Sequence, residues 1–162
     1  MPPALKDSVV LREVECGDVE RMIEYFDSLG ERSRGFFHPH PFDAERAQEI
    51  CGDKTPGAYR IVAECEGRIV GYAWFNPWKQ SPFCTLGIAI SDDFQGRGLG
   101  GALMDALEAE ARARKLPGLR LTVYRTNERG VRLYVSRGYR IVGEEGPQHV
   151  MELSLDEAKG AY

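Results

Sequence analysis

The stretch FQGRGLGGAL, Phe94 to Leu103, sets four glycines within the six positions from Gly96 to Gly101, directly ahead of residues at helical spacing. Glycine inside a helix costs roughly 1 kcal/mol relative to alanine, so the cluster is expensive unless something must come close to bare backbone. After a strand and before a helix, such residues turn the chain sharply and leave several amides unpaired beside the positive end of the helix dipole. That is the chemistry of an anion site, and phosphates are its usual occupants. Arg97 can add charge there and Gln95 a hydrogen bond.

Gly96, Gly98 and Gly101 also satisfy G-x-G-x-x-G, a pattern shared by several phosphate-binding designs. A dinucleotide fold needs a carboxylate about 20 positions onward, at the end of the next strand. Here Leu119 to Tyr124 runs into Arg125, with no carboxylate before Glu128. A P-loop needs Gly-Lys-Ser or Gly-Lys-Thr, whereas Gly101 is followed by Ala102 and Leu103. A kinase-type loop lies between strands, and this one opens a helix. Cys16, Cys51, Cys65 and Cys84 form no C-x-x-C pair and have no nearby histidine couple. They read as small buried apolar residues, without a zinc site or a disulfide framework.

The elements that must position this loop follow from periodicity. Val9 to Val14 reads as a strand, and Val19, Met22, Ile23, Phe26 and Leu29 as one face of a helix ending at Gly30. Glu31 to Phe42, with His38-Pro39-His40-Pro41, reads as a loop, and Asp43 to Cys51 as a second helix. Tyr59 to Glu66, Arg68 to Phe75 and Phe83 to Ile90 read as a three-stranded antiparallel meander. The glycine cluster then opens a helix reaching about Lys115, stopped by Pro117-Gly118. Leu119 to Tyr124 is a fifth strand, Glu128 to Arg137 a helix closed by Gly138, and Tyr139 to Val142 and His149 to Leu155 the last two strands. A strand, a long helix and a strand imply a parallel crossover. The expected class is therefore α+β: a mixed, mostly antiparallel seven-stranded sheet with helices on both faces.

Composition narrows the function classes. The 162 residues fit one domain, 1–162, with a core over about 9–155; chains of this size bury roughly 70% of the surface they expose when unfolded. Lys plus Arg number 21 against 25 Asp plus Glu, so no basic field draws the protein to nucleic acid. No run of apolar residues is long enough for a signal peptide or a membrane span, and a cytoplasmic protein is expected.

Taken together, these residues resemble the GNAT superfamily of acyl-CoA-dependent N-acyltransferases, whose central signature is Gln or Arg, two residues, Gly, one residue, then Gly or Ala. Gln95, Gly98 and Gly100 stand in that register. A second region matches downstream: the strand Leu119 to Tyr124, then Asn127, Leu133-Tyr134 and Gly138-Tyr139, with Gly130 where the family commonly has alanine. The resemblance implies that the diphosphate of acetyl-CoA lies on amides of Gly96, Arg97, Gly98, Gly100 and Gly101, with Gln95 beside them. It implies that the pantetheine arm pairs with the fourth strand at Ile88, Ala89 and Ile90, where an amide would polarise the thioester carbonyl. Asn127 caps the last helix, alone or with a CoA contact as well. Tyr134 would be the general acid that protonates the departing thiolate, since a phenol with pKa about 10 stays protonated at pH 7.

The acceptor side is less legible. The family's groove is lined by the loop between the first two helices, here Arg34 to Phe42, and by neighbouring hairpins, so Phe37, His38 and Trp78 are candidates. The same phenylalanines could instead cover the core. Trp74, at strand spacing, reads as core, and Asp92 and Asp93 as solvent-facing turn residues. The fourth strand carries no Glu or His, which leaves Glu64, His38, His40 or a water relay to deprotonate the amine. Cys84 lies near the expected thioester, but no activating histidine is placed beside it. The reading is direct transfer of acetyl from acetyl-CoA to a primary amine of a small molecule or peptide. It involves no metal, nucleic acid or membrane, and a homodimer is compatible with it. The alternatives are another acyl-CoA or an O-acceptor on the same fold, and a CoA-binding regulatory module without catalysis.

Overall fold

The computed structural model describes residues 8–31 and 43–155. In these, strands β1 (Val9–Glu13), β2 (Tyr59–Cys65), β3 (Arg68–Asn76), β4 (Cys84–Ile90), β5 (Gly118–Tyr124), β6 (Arg140–Glu145) and β7 (Gln148–Ser154) form one sheet. Its order is β1-β2-β3-β4-β5-β7-β6. Only the β4–β5 contact is parallel, and the other neighbours run antiparallel. Helices α1 (Val19–Ser28), α2 (Ala44–Gly52), α3 (Leu99–Ala113) and α4 (Glu128–Ser136) complete the described elements. The expected class and element order hold.

Alternation along the central strands builds two apolar layers. Val62, Tyr72, Trp74 and Ala89 point to one face, where Met22, Tyr25 and Phe26 of α1 and Ala47 and Ile50 of α2 cover them. Ile61, Ala63, Ala73 and Phe75 point to the other, against Leu99, Leu103, Met104 and Leu107 of α3. Truncating a member such as Leu103 would cost about 2–5 kcal/mol.

Three expectations need correction. β6 continues to Glu145, longer than the alternation alone suggested, and β7 runs one residue earlier than expected, from Gln148 to Ser154. The turn at Gly146 and Pro147, with Gly146 at φ 55°, closes a hairpin whose pairing extends to the tip. Cys16 is exposed while the other three cysteines are buried. It opens a short 3-10 turn, Cys16–Asp18, which directs Asp18 inward instead: Asp18 accepts hydrogen bonds from Arg12 at 2.7 and 2.8 Å and from the Glu15 amide at 2.8 Å. α3 ends at Ala113, and Lys115 takes a positive φ of 58° ahead of Pro117.

Candidate active site

The site begins with a broken ladder. β4 pairs with β3 from Thr85 to Ile90, but with β5 only at Cys84↔Leu119 and Thr85↔Arg120. Beyond Thr85 the two strands part, and one backbone edge of β4 is left without a neighbouring strand. Two contacts hold β4 in place, one from α1 and one from the neighbouring β3. The buried hydroxyl of Tyr25 donates to the carbonyl of Ala89 at 2.6 Å. The indole of Trp74 fills the space that any Cβ at Gly87 would occupy.

At the end of β4 a short turn, Asp92–Phe94, leads into the glycine loop. Gly98 is the N-cap of α3 at φ 87°, a conformation that favours glycine, and it offers no side chain to the helix. The first helical bond is Ala102 N to Gly98 O at 3.2 Å. Hence the amides of Leu99, Gly100 and Gly101 have no intrahelical acceptor. Among the described residues, no backbone hydrogen bond uses the amides of Gly96, Arg97 or Gly98 either. At Gly100 a Cβ would sit 3.2 Å from Leu133 Cδ2 and 3.4 Å from Ile90 Cδ1, so glycine there lets α3, α4 and β4 close together. Gln95 Nε2 donates to Ile90 O at 3.1 Å, tying the loop to the strand.

A cleft of about 310 Å³ follows this surface, lined by Ile88, Ala89, Ile90, Gln95, Gly96, Gly98, Gly100, Gly101 and Asn127 together with Leu133 and Tyr134. All but one of the residues read as cofactor-binding thus share one wall. The exception is Arg97, whose guanidinium stacks on Phe94 with 5.1 Å to the ring centroid. Arg129 lines the cleft instead, its Nη1 the nearest side-chain atom to the Gly96 position. The sequence offered a signal for it, a cation two residues past Asn127, that the motif comparison passed over.

Asn127 is the N-cap of α4, its Oδ1 accepting from Gly130 N at 3.1 Å. A Cβ at residue 130 would lie 2.7 Å from Asn127 Nδ2, so glycine there gives the cap room to fold over the helix start. Seven residues on, Tyr134 is half-buried, and desolvation pushes its phenol up to about 12. No hydrogen bond to its hydroxyl is present among the described residues, so a protonated donor is held in the cleft wall.

A second cleft, about 540 Å³, opens across the gap between β4 and β5. Trp74, Trp78, Thr85, Arg120, Glu145 and Gln148 contribute to it, and Ile88, Asn127 and Tyr134 line both clefts. Arg120 donates from Nη2 to Glu145 Oε1 at 2.7 Å and rests 4.9 Å from the Trp78 ring centroid. Trp78, expected on the acceptor side, lines this second cleft.

Glu64 does not join this site. It lies on β2, beside β1, where Arg12 Nε donates to it at 2.7 Å, and it lines neither cleft. Phe37, His38 and His40 fall outside the described residues. Burial pushes the Cys84 thiol up, the wrong direction for a nucleophile. Among the described residues no group of three His, Cys, Asp or Glu side chains is placed to hold a metal ion, and no helix is long and apolar enough to cross a membrane.

Comparison with known proteins gives a consistent picture. The family model described as Acetyltransferase (GNAT) family matches residues 22–139. A curated relative, the L-methionine sulfoximine/L-methionine sulfone acetyltransferase of Pseudomonas aeruginosa, is 23% identical over 173 aligned positions that span 95% of this chain and 99% of the relative. The GNAT domain of S. lividans PAT superposes with a TM-score of 0.81 at 18% identity, over 90% of this chain and 89% of that one. The PaiA N-acetyltransferase of Thermoplasma acidophilum, solved with coenzyme A, superposes at 0.76 and 16% identity, over 91% and 99%.

Proposed function

The chain belongs to the GNAT acetyltransferase family, and on that premise we propose that it moves the acetyl group of acetyl-CoA directly to a primary amine of a small molecule or peptide. The observation that carries the reading is the place of Tyr134, in the wall common to the loop cleft and to the cleft across the β4–β5 gap. A proton donor there faces the cofactor side and the acceptor side at once.

The residues suit CoA. The unpaired amides around Gly98, Gly100 and Gly101 offer donors to a diphosphate at a helix N-terminus, and Arg129 adds a cation. The open edge of β4 from Leu86 to Ile90 offers backbone groups to an extended amide-bearing arm. Bound acetyl-CoA supplies an activated thioester. The chain's part is to orient it along β4, to donate an amide near Ile88 to Ile90 to the thioester carbonyl, and to hold the Tyr134 proton for the departing sulfur. The raised phenol pKa keeps that proton in place at neutral pH. The protonated, buried Cys84 favours direct transfer over a covalent enzyme intermediate.

The Thermoplasma neighbour, crystallised with coenzyme A, supports the cofactor. The Pseudomonas relative, named for methionine sulfoximine and methionine sulfone, supports a small-molecule amine. The test is release of CoA thiol from acetyl-CoA over a panel of primary amines that includes methionine sulfone. Amine-dependent release with a matching N-acetylated product is expected. CoA affinity without turnover on any amine would contradict transfer and favour a CoA-binding module.

A further inference from the structure

The acceptor cleft holds one cation and one anion among its described lining residues, Arg120 and Glu145, and they are bonded to each other. The guanidinium is largely withdrawn from solvent, its side chain 12% exposed, while Glu145 is 54% exposed. Only Nη2 of Arg120 has a hydrogen-bond partner among the described residues, and the ring of Trp78 covers the group at 4.9 Å. Nε and Nη1 therefore remain as donors in a cleft of about 540 Å³ that reaches Tyr134.

A half-buried guanidinium with spare donors is built to take a planar anion on two nitrogens. Its present partner is an exposed carboxylate, and solvent screening leaves such a pair weakly held. The remaining lining is uncharged: indole faces, Asn76, Thr122 and Gln148. Lys79 also sits over Trp78 but does not line the cleft. A ligand that opens the Arg120–Glu145 pair and leaves the cleft neutral must bring one charge of each sign. A polyamine would bring cations without partners, and a doubly charged acid would bring an anion in excess.

Resting on the transferase reading above, we infer that the acceptor is a zwitterionic amino acid, whose carboxylate takes the guanidinium of Arg120 while its ammonium is drawn to Glu145. The substrate thereby replaces an internal ion pair by two intermolecular ones. Trp78 supplies an apolar wall for the amino acid's side chain. Arg120 and Trp78 are then the residues that determine specificity, separate from the diphosphate loop.

The experiment compares free L-amino acids with their carboxamides, which lack the negative charge, on the wild-type protein, Arg120→Gln and Arg120→Lys, with every rate referred to the free-amine concentration because the carboxamide's amine is the weaker base. On the wild type the acid is expected to exceed its carboxamide at least tenfold in kcat/KM, mostly through KM. Arg120→Gln should bring that ratio close to one, Arg120→Lys should recover part of it, and both should keep acetyl-CoA affinity and thermal midpoint. A ratio near one on the wild type, or one unchanged in Arg120→Gln, would overturn the inference. Calorimetric binding of the same acids and carboxamides to the protein–CoA complex reads the cleft without turnover. A preference for the acid there without acetyl transfer would uphold the cleft assignment and overturn the transferase reading. Transfer to amines with no such preference would overturn the cleft assignment alone.

Discussion

Tyr139 stands edge-on to Tyr134, ring centroids 5.9 Å apart and planes inclined by 60°, and its hydroxyl donates to the buried Glu108 at 3.1 Å. Glu108 also receives Arg137 Nη2 at 2.8 Å and Nε at 3.2 Å. One carboxylate on α3 therefore fixes both the corner after α4 and the ring packed against Tyr134. The helix that opens at the glycine loop is thus the same helix that braces the ring packed against Tyr134.

Tyr134→Phe removes the hydroxyl and keeps the ring and its contact with Tyr139. Turnover is expected to fall about 100-fold or more, the usual worth of a positioned general acid. Acetyl-CoA affinity measured by calorimetry should stay within about twofold. Because the phenol is pushed up to about 12, the wild-type rate should show no descending limb from this group below about pH 11. Unchanged turnover in the variant would remove Tyr134 from the mechanism.

Glu108→Ala leaves the Tyr139 hydroxyl without its acceptor and Arg137 with Asp105 as its remaining acid partner. Breaking a buried charged network of this kind costs about 3–5 kcal/mol. Urea denaturation should register that loss, and turnover should fall further than acetyl-CoA affinity as the Tyr134 ring loosens. A midpoint equal to wild type would show that the network is dispensable.

Gly98→Glu sets a side chain at φ 87° and a negative charge among the amides offered to the diphosphate. Acetyl-CoA affinity is expected to drop well over tenfold, equivalent to more than about 1.4 kcal/mol. Gly98→Ala, which carries the strain without the charge, should lose less. Normal binding by the glutamate variant would place the phosphate site elsewhere.

Much of this was legible before the fold was known. Gly98, Gly100 and Asn127 declare themselves because each has a local backbone reason for its position, a cap, a positive φ or a close helix approach, whereas Gln95 and Tyr134 come from the family resemblance. Alternation likewise gave the β2–β3–β4 meander. Local pattern could not show side chains that meet through long-range strand order. Arg120 and Glu145 lie 25 positions apart, on strands with β7 between them, and their side chains meet only in the folded sheet. Glu64 looked available because nothing nearby in sequence indicates that β1 would bring Arg12 against it. Cys16 looked apolar because its burial depends on how a three-residue turn is aimed.

Burial pushes the phenols of Tyr25, Tyr72, Tyr134 and Tyr139 above their usual value. In the unfolded chain these groups lose their protons near pH 10, while the folded protein keeps them. The unfolded state then binds fewer protons, so stability is fully present below about pH 10 and falls as pH rises beyond it. Thermal midpoints followed by circular dichroism should therefore be level from pH 8 to about 9.5 and decline by pH 11. A level profile through pH 11 would show that these phenols ionise equally in both states.

The central claim, that bare amides of the glycine loop and the open edge of β4 hold acetyl-CoA beside Tyr134, is most directly read by backbone amide NMR during an acetyl-CoA titration. The largest shifts are expected at Gly96 to Gly101 and at Ile88 to Ile90, with smaller ones at Asn127 and Arg129. Saturable shifts confined to the separate cleft around Arg21, Arg68 and Ser91, with the loop amides unmoved, would contradict it.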